Sequence, residues 1–509
     1  MELPGPYLLG IDLGTMVVKS VIFDLDGNNL GMGYGEYPIE SPHPGWAEHD
    51  QNLWWSETKK TVREALSQSG ANPKDIAAIG CCAQSHATNL ISKDGRVLMK
   101  SIIWPDRRAV KQEQWIKENV GVQESEQTLS AVKLLWIKEN LPDIWKQTYK
   151  ILLPHNFLVW KLTGVFSAEP LDASTTAMFD FEKDDWSDRL LKAYGIDRDL
   201  LPEISRPHDI VGTVTDKAAE ETGLAKGTQV IAGSSDGAAQ TFGAGFVRAG
   251  RGLDRCGTVG ALSVAIEKSP DVKGWPYILP NITDASAGWT QTAGASLRWY
   301  RDQFCQVERL IAAKSGVSEY MLMDKEVDQV EPGAGGIVFN PYLLGRSGPL
   351  NKHGFFFGIT LHTSREQMMR AVLEGYAFEL RRGKKQNWDA QGIKCDEVWT
   401  CGGGAESRTW RQIRADILGL TYCKTSMKES GNWGVSVLAG YGVGLFKDLI
   451  SPIENAVKVV ERNEPREEYK ERYDELSTIY DGLNDLLEKS GIYDRYVSSL
   501  EKGGILPKL

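Results

Sequence analysis

Long hydrophobic runs, basic clusters and a paired set of cysteines are all missing from this sequence of 509 residues. No apolar stretch reaches the roughly 18 residues that a membrane span needs. The N-terminal segment MELPGPYLLG also lacks the basic start, apolar core and small-residue cleavage site of a signal peptide. The formal net charge is -10 without a long lysine or arginine run, which argues against DNA or RNA as a partner. We therefore expect a cytoplasmic protein with no nucleic-acid or membrane partner.

The cysteines are few and odd in number, seven in the whole chain. Cys81 and Cys82 are adjacent, whereas Cys395, Cys401 and Cys423 are scattered, and no group of them has the spacing of a zinc site. This argues against a disulfide framework, and buried free thiols in a reducing cytoplasm are expected.

The length predicts at least two domains, and helical and strand patterns alternate throughout, which is typical of an α/β protein. A glycine-rich stretch at Phe242–Arg251 is the expected boundary, giving domains 1–245 and 246–509. The segment DRCGTVGALSV repeats the pattern of GIDLGTMVVKSVIF, with an apolar strand, a Gly-Thr turn and another apolar strand. This weak internal repeat predicts two related halves that share a ligand.

Two helices of the second half have clear sequence signals. Ser364 and Gln367 form a capping box for a helix predicted over Arg365–Arg382. A second amphipathic helix is predicted over Tyr469–Leu487, where apolar residues recur three or four apart.

The first glycine turn, in the segment DLGTMVVK, combines the groups that a nucleotide phosphate needs. A tight turn at Gly14 directs successive backbone N–H groups to one spot, and Thr15 adds a hydroxyl donor. Lys19 adds a cation, and Asp12 is suited to hold Mg²⁺ through water. An ordinary hairpin explains this turn equally well when it is taken alone.

Two further glycine loops favour the phosphate interpretation. Gly257 and Thr258 form a turn where the backbone can approach a phosphate closely, since glycine has no Cβ. A third loop, at Gly402 to Gly404, follows a predicted strand and precedes a helix expected to begin near Glu406. Such a loop can lie flat against a purine or ribose beside a helix N-terminus. Three such loops in this order are far more specific than any one.

Asp236 is the candidate general base. It lies between a buried strand and the start of an alanine-rich helix, with small residues on both sides that leave room for a ligand. The structural alternative is a helix N-cap, a position that aspartate often occupies.

Polar residues follow two neighbouring strands and suit a polyhydroxylated ligand, which needs hydrogen bonds and one flat apolar face. These candidates are Gln84, Ser85, His86, Trp104 and Asp106. For His86 the alternative is a core histidine with its hydrogen bonds satisfied. Asp172 and Ser174 are predicted in a polar loop after a helix, where a cap is equally expected.

From about Tyr7 to its closing helix, the chain resembles the FGGY family of carbohydrate kinases. Gly354–Gly375 is similar to the C-terminal signature of that family throughout, and Thr128–Asn140 is similar to the other signature except at Thr128. The resemblance implies two ribonuclease H-like domains of the actin/hexokinase/Hsp70 superfamily, with ATP and a sugar in the cleft between them.

The resemblance also implies roles for the candidate residues. Asp12, Gly14, Thr15 and Lys19 would form the first phosphate element, and Gly257 and Thr258 the second. Gly403, Gly404 and Ala405 would carry the adenosine, with Arg408 at its edge. Asp236 matches the catalytic base of the family and, with Asp12, would lie at the Mg²⁺ ion that accompanies ATP.

Within the family, the sequence is similar to xylulokinases in its Gln-x-His pattern and in LPHNFLVWKLTG and DAST. It departs from them where Ser85 and Ala87 replace Met and Gly, and where Pro105 precedes Asp106 in place of Asn. A ketopentose such as xylulose is the first choice of substrate; ribulose, gluconate and a tetritol stay open, as does a homodimer. The alternatives of another class are an actin- or Hsp70-like ATPase and an inactive sugar sensor.

Overall fold

The computed structural model describes residues 5–122, 128–268, 278–290, 292–343 and 352–502. The chain divides into two compact units. The first comprises Met1–Val247, Lys268–Thr283 and Glu429–Lys458, and the second comprises Arg248–Glu267, Asp284–Lys428 and Val459–Leu509.

The principal strands are numbered in chain order. They are β1 (Tyr7–Leu13), β2 (Val17–Phe23), β3 (Asn29–Glu36), β4 (Ile76–Ala83), β5 (Ile210–Thr213), β6 (Gln229–Ile231), β7 (Ser234–Ser235), β8 (Arg251–Cys256), β9 (Gly260–Glu267), β10 (Ile282–Thr290), β11 (Glu397–Cys401), β12 (Tyr422–Thr425) and β13 (Val459–Asn463). Shorter strands cover Glu48–His49, Asn89–Ser92, Ser101–Ile102, Thr148–Leu152, Ser167–Ala168, Phe179–Asp180, Asp185–Trp186, Glu203–Ile204, Val338–Asn340 and Phe355–Phe357.

The principal helices are numbered in the same way. They are α1 (Gln51–Ser69), α2 (Val110–Asn119), α3 (Ser130–Asn140), α4 (Pro154–Thr163), α5 (Asp236–Gly243), α6 (Gly294–Phe304), α7 (Gln306–Ser315), α8 (Glu319–Val327), α9 (Arg365–Asn387), α10 (Arg408–Leu418), α11 (Ser430–Gly442), α12 (Lys470–Lys489) and α13 (Ile492–Lys502). Shorter helices cover Pro142–Gln147, Pro170–Ala173, Asp188–Tyr194, Asp216–Thr222 and Ser451–Ala456. Among the described helices, none combines the length and the apolar character that crossing a membrane requires.

Each unit is built on one mixed sheet, and the two sheets repeat the same plan. In the first unit the order is β5-β6-β4-β1-β2-β3, with β7 also paired to β4. Strand β1 is antiparallel to β2 and parallel to β4. In the second unit the order is β10-β9-β8-β11-β12-β13, where β8 is antiparallel to β9 and parallel to β11. The weak repeat in the sequence thus corresponds to two hairpins at equivalent places in the two sheets.

Helix α11 belongs to the first unit although it comes late in the chain. It packs closely on β1 and β4 at a glycine of each strand. A larger residue would not fit there, since a Cβ at Gly10 would overlap the Asn432 carbonyl and a Cβ at Gly80 would overlap the Val435 carbonyl. The predicted domains, 1–245 and 246–509, have their break close to the junction at Val247 and Arg248. The observed units have different ranges, because the segments Lys268–Thr283 and Glu429–Lys458 belong to the first unit.

Helix α9 begins at Arg365 with the predicted capping box, since Ser364 and Gln367 exchange both hydrogen bonds. It ends at Asn387, past the predicted end at Arg382. Gly383 is a residue type that often ends helices, but here it lies within α9, where a Cβ would overlap the Ala287 carbonyl. The predicted closing helix is α12, and α13 follows it.

Candidate active site

The carboxyl ends of three parallel strands lie side by side in the first unit. In the ladders, Asp12 of β1 is opposite Cys82 of β4, and Ser235 of β7 is opposite Ala83. The Gln84 N–H donates to the Leu13 carbonyl at 2.9 Å, which extends this alignment past the end of β4. Neighbouring strands are about 4.8 Å apart, so two strand spacings, about 10 Å, separate the backbones at Asp12 and Ser234, and Asp236 follows two residues after Ser234. The sheet therefore brings together three predicted elements: the phosphate turn, the polar residues after β4 and the candidate base.

The turn between β1 and β2 is held by Tyr37, a residue that the sequence analysis did not single out. Its hydroxyl donates to the Gly14 carbonyl and lies 3.3 Å from the Val17 carbonyl, and its N–H donates to the Met16 carbonyl at 3.1 Å. The Thr15 hydroxyl accepts from the indole Nε1 of Trp104 at 2.9 Å. A predicted phosphate ligand and a predicted sugar ligand are therefore in direct contact.

Asp12 lies in an unusual electrostatic setting at the end of β1. Its carboxylate is half-buried, and its Oδ1 is buried without a hydrogen-bond partner among the described residues. Burial raises the pKa of Asp12 to about 6, against the opposing effects of the Lys19 ammonium and a hydrogen bond from the Cys82 thiol. Lys19 itself forms an ion pair with Glu429, with Nζ 2.7 Å from Oε2.

The surroundings of Asp12 fit the Mg²⁺ that the family resemblance implies. Mg²⁺ is usually bound by one or two carboxylates together with substrate phosphates and water, not by a protein cage. Across the described residues, no group of three or more His, Cys, Asp or Glu side chains forms such a cage. A buried carboxylate oxygen with no other partner is the single ligand that this mode of binding requires.

Asp236 is the first residue of α5. It is not the N-cap of this helix, the role that the alternative interpretation gave it. Ser235 is the cap, and its hydroxyl accepts from the Ala238 N–H. The Asp236 carboxylate is half-buried, and its Oδ1 accepts from the Gly237 N–H at 2.6 Å. Burial raises the pKa of Tyr37, and the charges of Asp12 and Asp236 add to the shift. Both acids therefore lie within electrostatic reach of the phosphate turn.

Gln84 is buried and points toward His49, a second residue that the sequence analysis did not identify. The Gln84 Nε2 and the His49 Nδ1 are 3.2 Å apart, and the His49 ring meets Tyr37 edge-on at 5.2 Å. The Gln84 Oε1 is buried and has no hydrogen-bond partner among the described residues. These contacts connect Gln84 to the phosphate turn through two buried rings.

His86 has a left-handed backbone, with φ at 65°, which is uncommon for a residue other than glycine. Its carbonyl accepts from the fully buried Lys133 ammonium at 2.6 Å, and its Nδ1 is 3.2 Å from the Thr175 carbonyl. Burial lowers the pKa of His86 to about 4, so its ring is neutral at pH 7. Ser85 and His86 are both half-buried, so His86 is not the fully enclosed core histidine of the alternative interpretation.

Asp106 is buried, and both of its oxygens are engaged within the protein. Oδ2 accepts from the Ala47 N–H at 2.6 Å and from Arg108 at 2.8 Å, while Oδ1 accepts from the Arg108 N–H and Nε. The Arg108 guanidinium also binds Glu48 and stacks over Trp46 at 3.6 Å. These contacts hold the loop that carries Trp104.

The predicted polar loop at Asp172 is a short helix, Pro170–Ala173, with Ser174 in the tight turn that follows. Its cap is Glu169, whose side chain accepts from the Leu171 and Asp172 N–H groups. Asp172 is buried and its Oδ2 is 3.1 Å from the His155 Nδ1. The prediction of a loop was wrong because Pro170 fixes the first turn of a helix.

In the second unit, the turn after β8 is tied to the start of α6. Gly294 and Ala295 donate their N–H groups to the Gly257 and Thr258 carbonyls at 2.9 and 3.1 Å, and Thr258 is exposed. Gly402, which follows the parallel strand β11, has φ at 86°, and a Cβ there would lie 2.8 Å from the Cys256 carbonyl oxygen. The second and third glycine loops are therefore packed against each other.

Two buried arginines hold the third loop from α10. Arg411 donates to the Ala405 carbonyl, and Arg414 donates to the Gly404 carbonyl at 2.8 Å. Arg414 also binds the buried Asp254 of β8 at 2.6 Å. These contacts fix the carbonyl side of the loop, while a Cβ at Gly403 would meet no atom within 4 Å.

Helix α10 begins two residues later than expected. Gly403–Ala405 forms a 3-10 turn, and Ser407 caps α10 by accepting from the Trp410 N–H. The first helical residue is therefore Arg408, not Glu406, because the serine hydroxyl satisfies the N-terminal N–H group. The Arg408 side chain is 82% exposed and its Nε is 3.2 Å from Glu461.

His49 gives a testable pH dependence of stability. Burial lowers its pKa from 6.5 to about 4, so its stabilising neutral form is complete above pH 6.5 and is lost as the pH falls toward 4. We expect the free energy of unfolding to fall by about 2 kcal/mol between pH 7 and pH 5 because of this residue. Thermal unfolding of His49→Asn should show a correspondingly smaller acid destabilisation. The exposed His362→Asn is the control, and an equal change in that variant would contradict the assignment.

The two mixed sheets with their paired hairpins define a two-domain α/β fold of the actin/hexokinase-like kind. Residues 7–243 and 284–443 match the N-terminal and C-terminal domain models of the FGGY family of carbohydrate kinases. The chain belongs to this family and is an ATP-dependent carbohydrate kinase.

The relatives include several named kinases. A xylulose kinase of Lactococcus lactis is 32% identical over 456 residues, covering 87% of this chain and 89% of its own. An autoinducer-2 kinase of Enterobacter sp. is 30% identical, with 92% of each chain covered. The crystal structure of a xylulose kinase from Rhodospirillum rubrum has the same fold, with a TM-score of 0.83 at 24% identity, covering 96% of this chain and all of that one (100%).

Proposed function

We propose that the protein transfers the γ-phosphoryl group of ATP to a hydroxyl of a ketopentose, with xylulose as the first candidate. The observation that carries the proposal is the position of Asp236. This half-buried carboxylate begins α5 at the sheet edge where the Gly14 turn and Gln84 also lie. A general base for a sugar hydroxyl has to be accessible and close to the phosphate ligands.

In the proposed reaction, Asp236 accepts the proton of the acceptor hydroxyl as its oxygen attacks the γ-phosphorus in line. The new O–P bond forms as the bond between the γ-phosphorus and the β–γ bridging oxygen breaks, and ADP leaves. Thr15 and Lys19 bind phosphate oxygens, and Asp12 would hold Mg²⁺ through water. Mg²⁺ supplies neutralisation of the charge on the transferring group. Because phosphoryl transfer depends mainly on position and charge, the turn geometry set by Tyr37 matters as much as the base.

The proposed sugar ligands follow from the contacts of the first unit. The unpartnered Gln84 Oε1 accepts from a hydroxyl, and the half-buried Ser85 and His86 supply further polar contacts. Trp104 offers its indole face, with its Nε1 fixed on Thr15. Asp106 acts by holding this loop through Arg108 and, in this proposal, has no proton-transfer role.

The second unit is proposed to hold the nucleotide by its loops. The Gly257 turn and the exposed Thr258 hydroxyl suit phosphate oxygens. The open surface at Gly403, next to Gly404 and Ala405, suits the adenosine, and the exposed Arg408 lies one turn away along the chain. The two arginines behind the loop keep it in one conformation before nucleotide arrives.

The choice of acceptor follows the named relatives. The 32% identity to a xylulose kinase favours a ketopentose. The 30% identity to an autoinducer-2 kinase makes another small polyhydroxylated acceptor the second candidate. Ribulose, gluconate and a tetritol are further candidate acceptors to be compared with xylulose. Family membership disfavours an ATPase that binds only protein.

A coupled ADP-release assay with Mg-ATP tests this function against ketopentoses, aldonates, polyols and hexuloses. We expect the largest kcat/KM with xylulose or another ketopentose, with the phosphorylated product confirmed by mass spectrometry. A response limited to an aldonate or polyol would replace the ketopentose. Slow hydrolysis that no acceptor stimulates would instead support the ATPase or sensor interpretation.

A further inference from the structure

We infer that Glu429, the ion-pair partner of Lys19, weakens nucleotide binding because its negative charge repels the phosphates that Lys19 attracts. This inference rests on the proposed role of Lys19 as a phosphate ligand. It concerns a residue outside the predicted site, 410 positions from its partner.

The ion pair is held in place by rigid elements on both sides. Lys19 is on β2, opposite Asp12 in the ladder, and Glu429 directly precedes α11. The Asn432 amide of α11 donates to the Lys19 carbonyl at 3.0 Å and to the Gly10 carbonyl at 2.9 Å. The first turn of α11 is therefore bonded to both strands of the hairpin, which fixes Glu429 beside the ammonium.

Three charges meet at this place. The Lys19 and Glu429 side chains are 29% and 20% exposed, and a Cβ added to Gly431 would lie 3.0 Å from the Asp12 Oδ2. Asp12 lies within electrostatic reach of this ion pair, since, beside the effect of burial, the Lys19 ammonium lowers its pKa and the Glu429 carboxylate raises it. An ammonium has three donors, so Lys19 can bind a phosphate while it keeps Glu429, but the phosphate then approaches a second negative charge. Glu429 therefore opposes the anion that Lys19 attracts.

Glu429→Gln tests this role because glutamine keeps the shape and can still accept from Lys19. We expect Mg-ADP to bind about tenfold more tightly by isothermal titration calorimetry, with a lower KM for ATP, and this gain to shrink at high salt. Unchanged or weaker ADP binding would overturn the inference. Glu113→Gln is the matched control, since Glu113 pairs with Lys117 at 2.6 Å with similar exposure and should leave ADP binding unchanged.

The Lys19→Met background separates this inference from the proposed function. We expect Lys19→Met to weaken ADP binding, and Glu429→Gln to give no further gain in that background. If Lys19→Met leaves ADP binding unchanged, the proposed phosphate role of Lys19 fails. If Lys19→Met weakens binding but Glu429→Gln does not tighten it in the native background, only the role of Glu429 fails.

Discussion

Asp236→Asn should reduce kcat by about 10³-fold or more while Mg-ATP still binds with near-native affinity. Asparagine keeps the shape of the side chain, and its oxygen can still accept from the Gly237 N–H that Asp236 now binds at 2.6 Å. It cannot take the hydroxyl proton, and a positioned general base contributes about 10²- to 10⁴-fold to such reactions. Turnover with the best acceptor of the panel, together with ATP binding by calorimetry, measures the two effects separately.

Ser235→Ala provides the matched control because Ser235, not Asp236, caps α5. Loss of this cap should cost about 1 kcal/mol of stability with only a modest change in kcat. If Ser235→Ala loses as much activity as Asp236→Asn, Asp236 contributes to activity by holding the start of α5 in place and not as the general base. Joint loss of turnover and ATP binding in Asp236→Asn would also assign Asp236 a structural role.

Gly402→Ala should weaken nucleotide binding at least tenfold and lower the thermal stability of the protein. The Gly402 backbone, with φ at 86° and ψ at 176°, lies in a region that only glycine occupies readily. An added Cβ would also lie 2.8 Å from the Cys256 carbonyl oxygen, so the second and third glycine loops must separate. The combined cost is about 3 kcal/mol, measurable by thermal unfolding and ADP titration.

Gly403→Ala, one residue away, is the control for stability. A Cβ at Gly403 would meet no atom within 4 Å, so this variant should unfold at nearly the native temperature. Equal destabilisation by the two substitutions would contradict the proposed packing of Gly402 on Cys256. The effect of Gly403→Ala on nucleotide binding is a separate readout, because Gly403 is itself a proposed adenosine contact.

The features predicted correctly from the sequence are local ones. The hairpin turn at Gly14 and the capping box at Ser364 each follow from a few neighbouring residues, and both are present in the structure. The errors at Asp172 and at the start of α10 also concern local signals, where Pro170 and Ser407 outweighed the expected loop and helix start. Short-range chemistry thus accounts for both the correct and the incorrect predictions of this kind.

The residues that the sequence analysis missed support the candidate site from a distance along the chain. Tyr37 holds the Gly14 turn from 23 positions away, and Lys133 binds the His86 carbonyl from 47 positions away. Glu429 is 410 positions from Lys19. No periodicity or turn signal relates such partners, since only the folded sheet and its covering helices bring them together. Arg414 was missed for a similar reason, because its partner Asp254 is 160 positions away.

The position of α11 has a consequence for the order in which the protein can fold during synthesis. The hairpin and β4 are made within the first 83 residues, yet the helix that lies on their glycines is not complete until residue 442. During synthesis, the face of the first sheet that α11 covers therefore stays without this helix while most of the second unit is translated. A chain truncated near residue 428 would contain most of the second unit, but its first unit would lack both α11 and the short helix Ser451–Ala456.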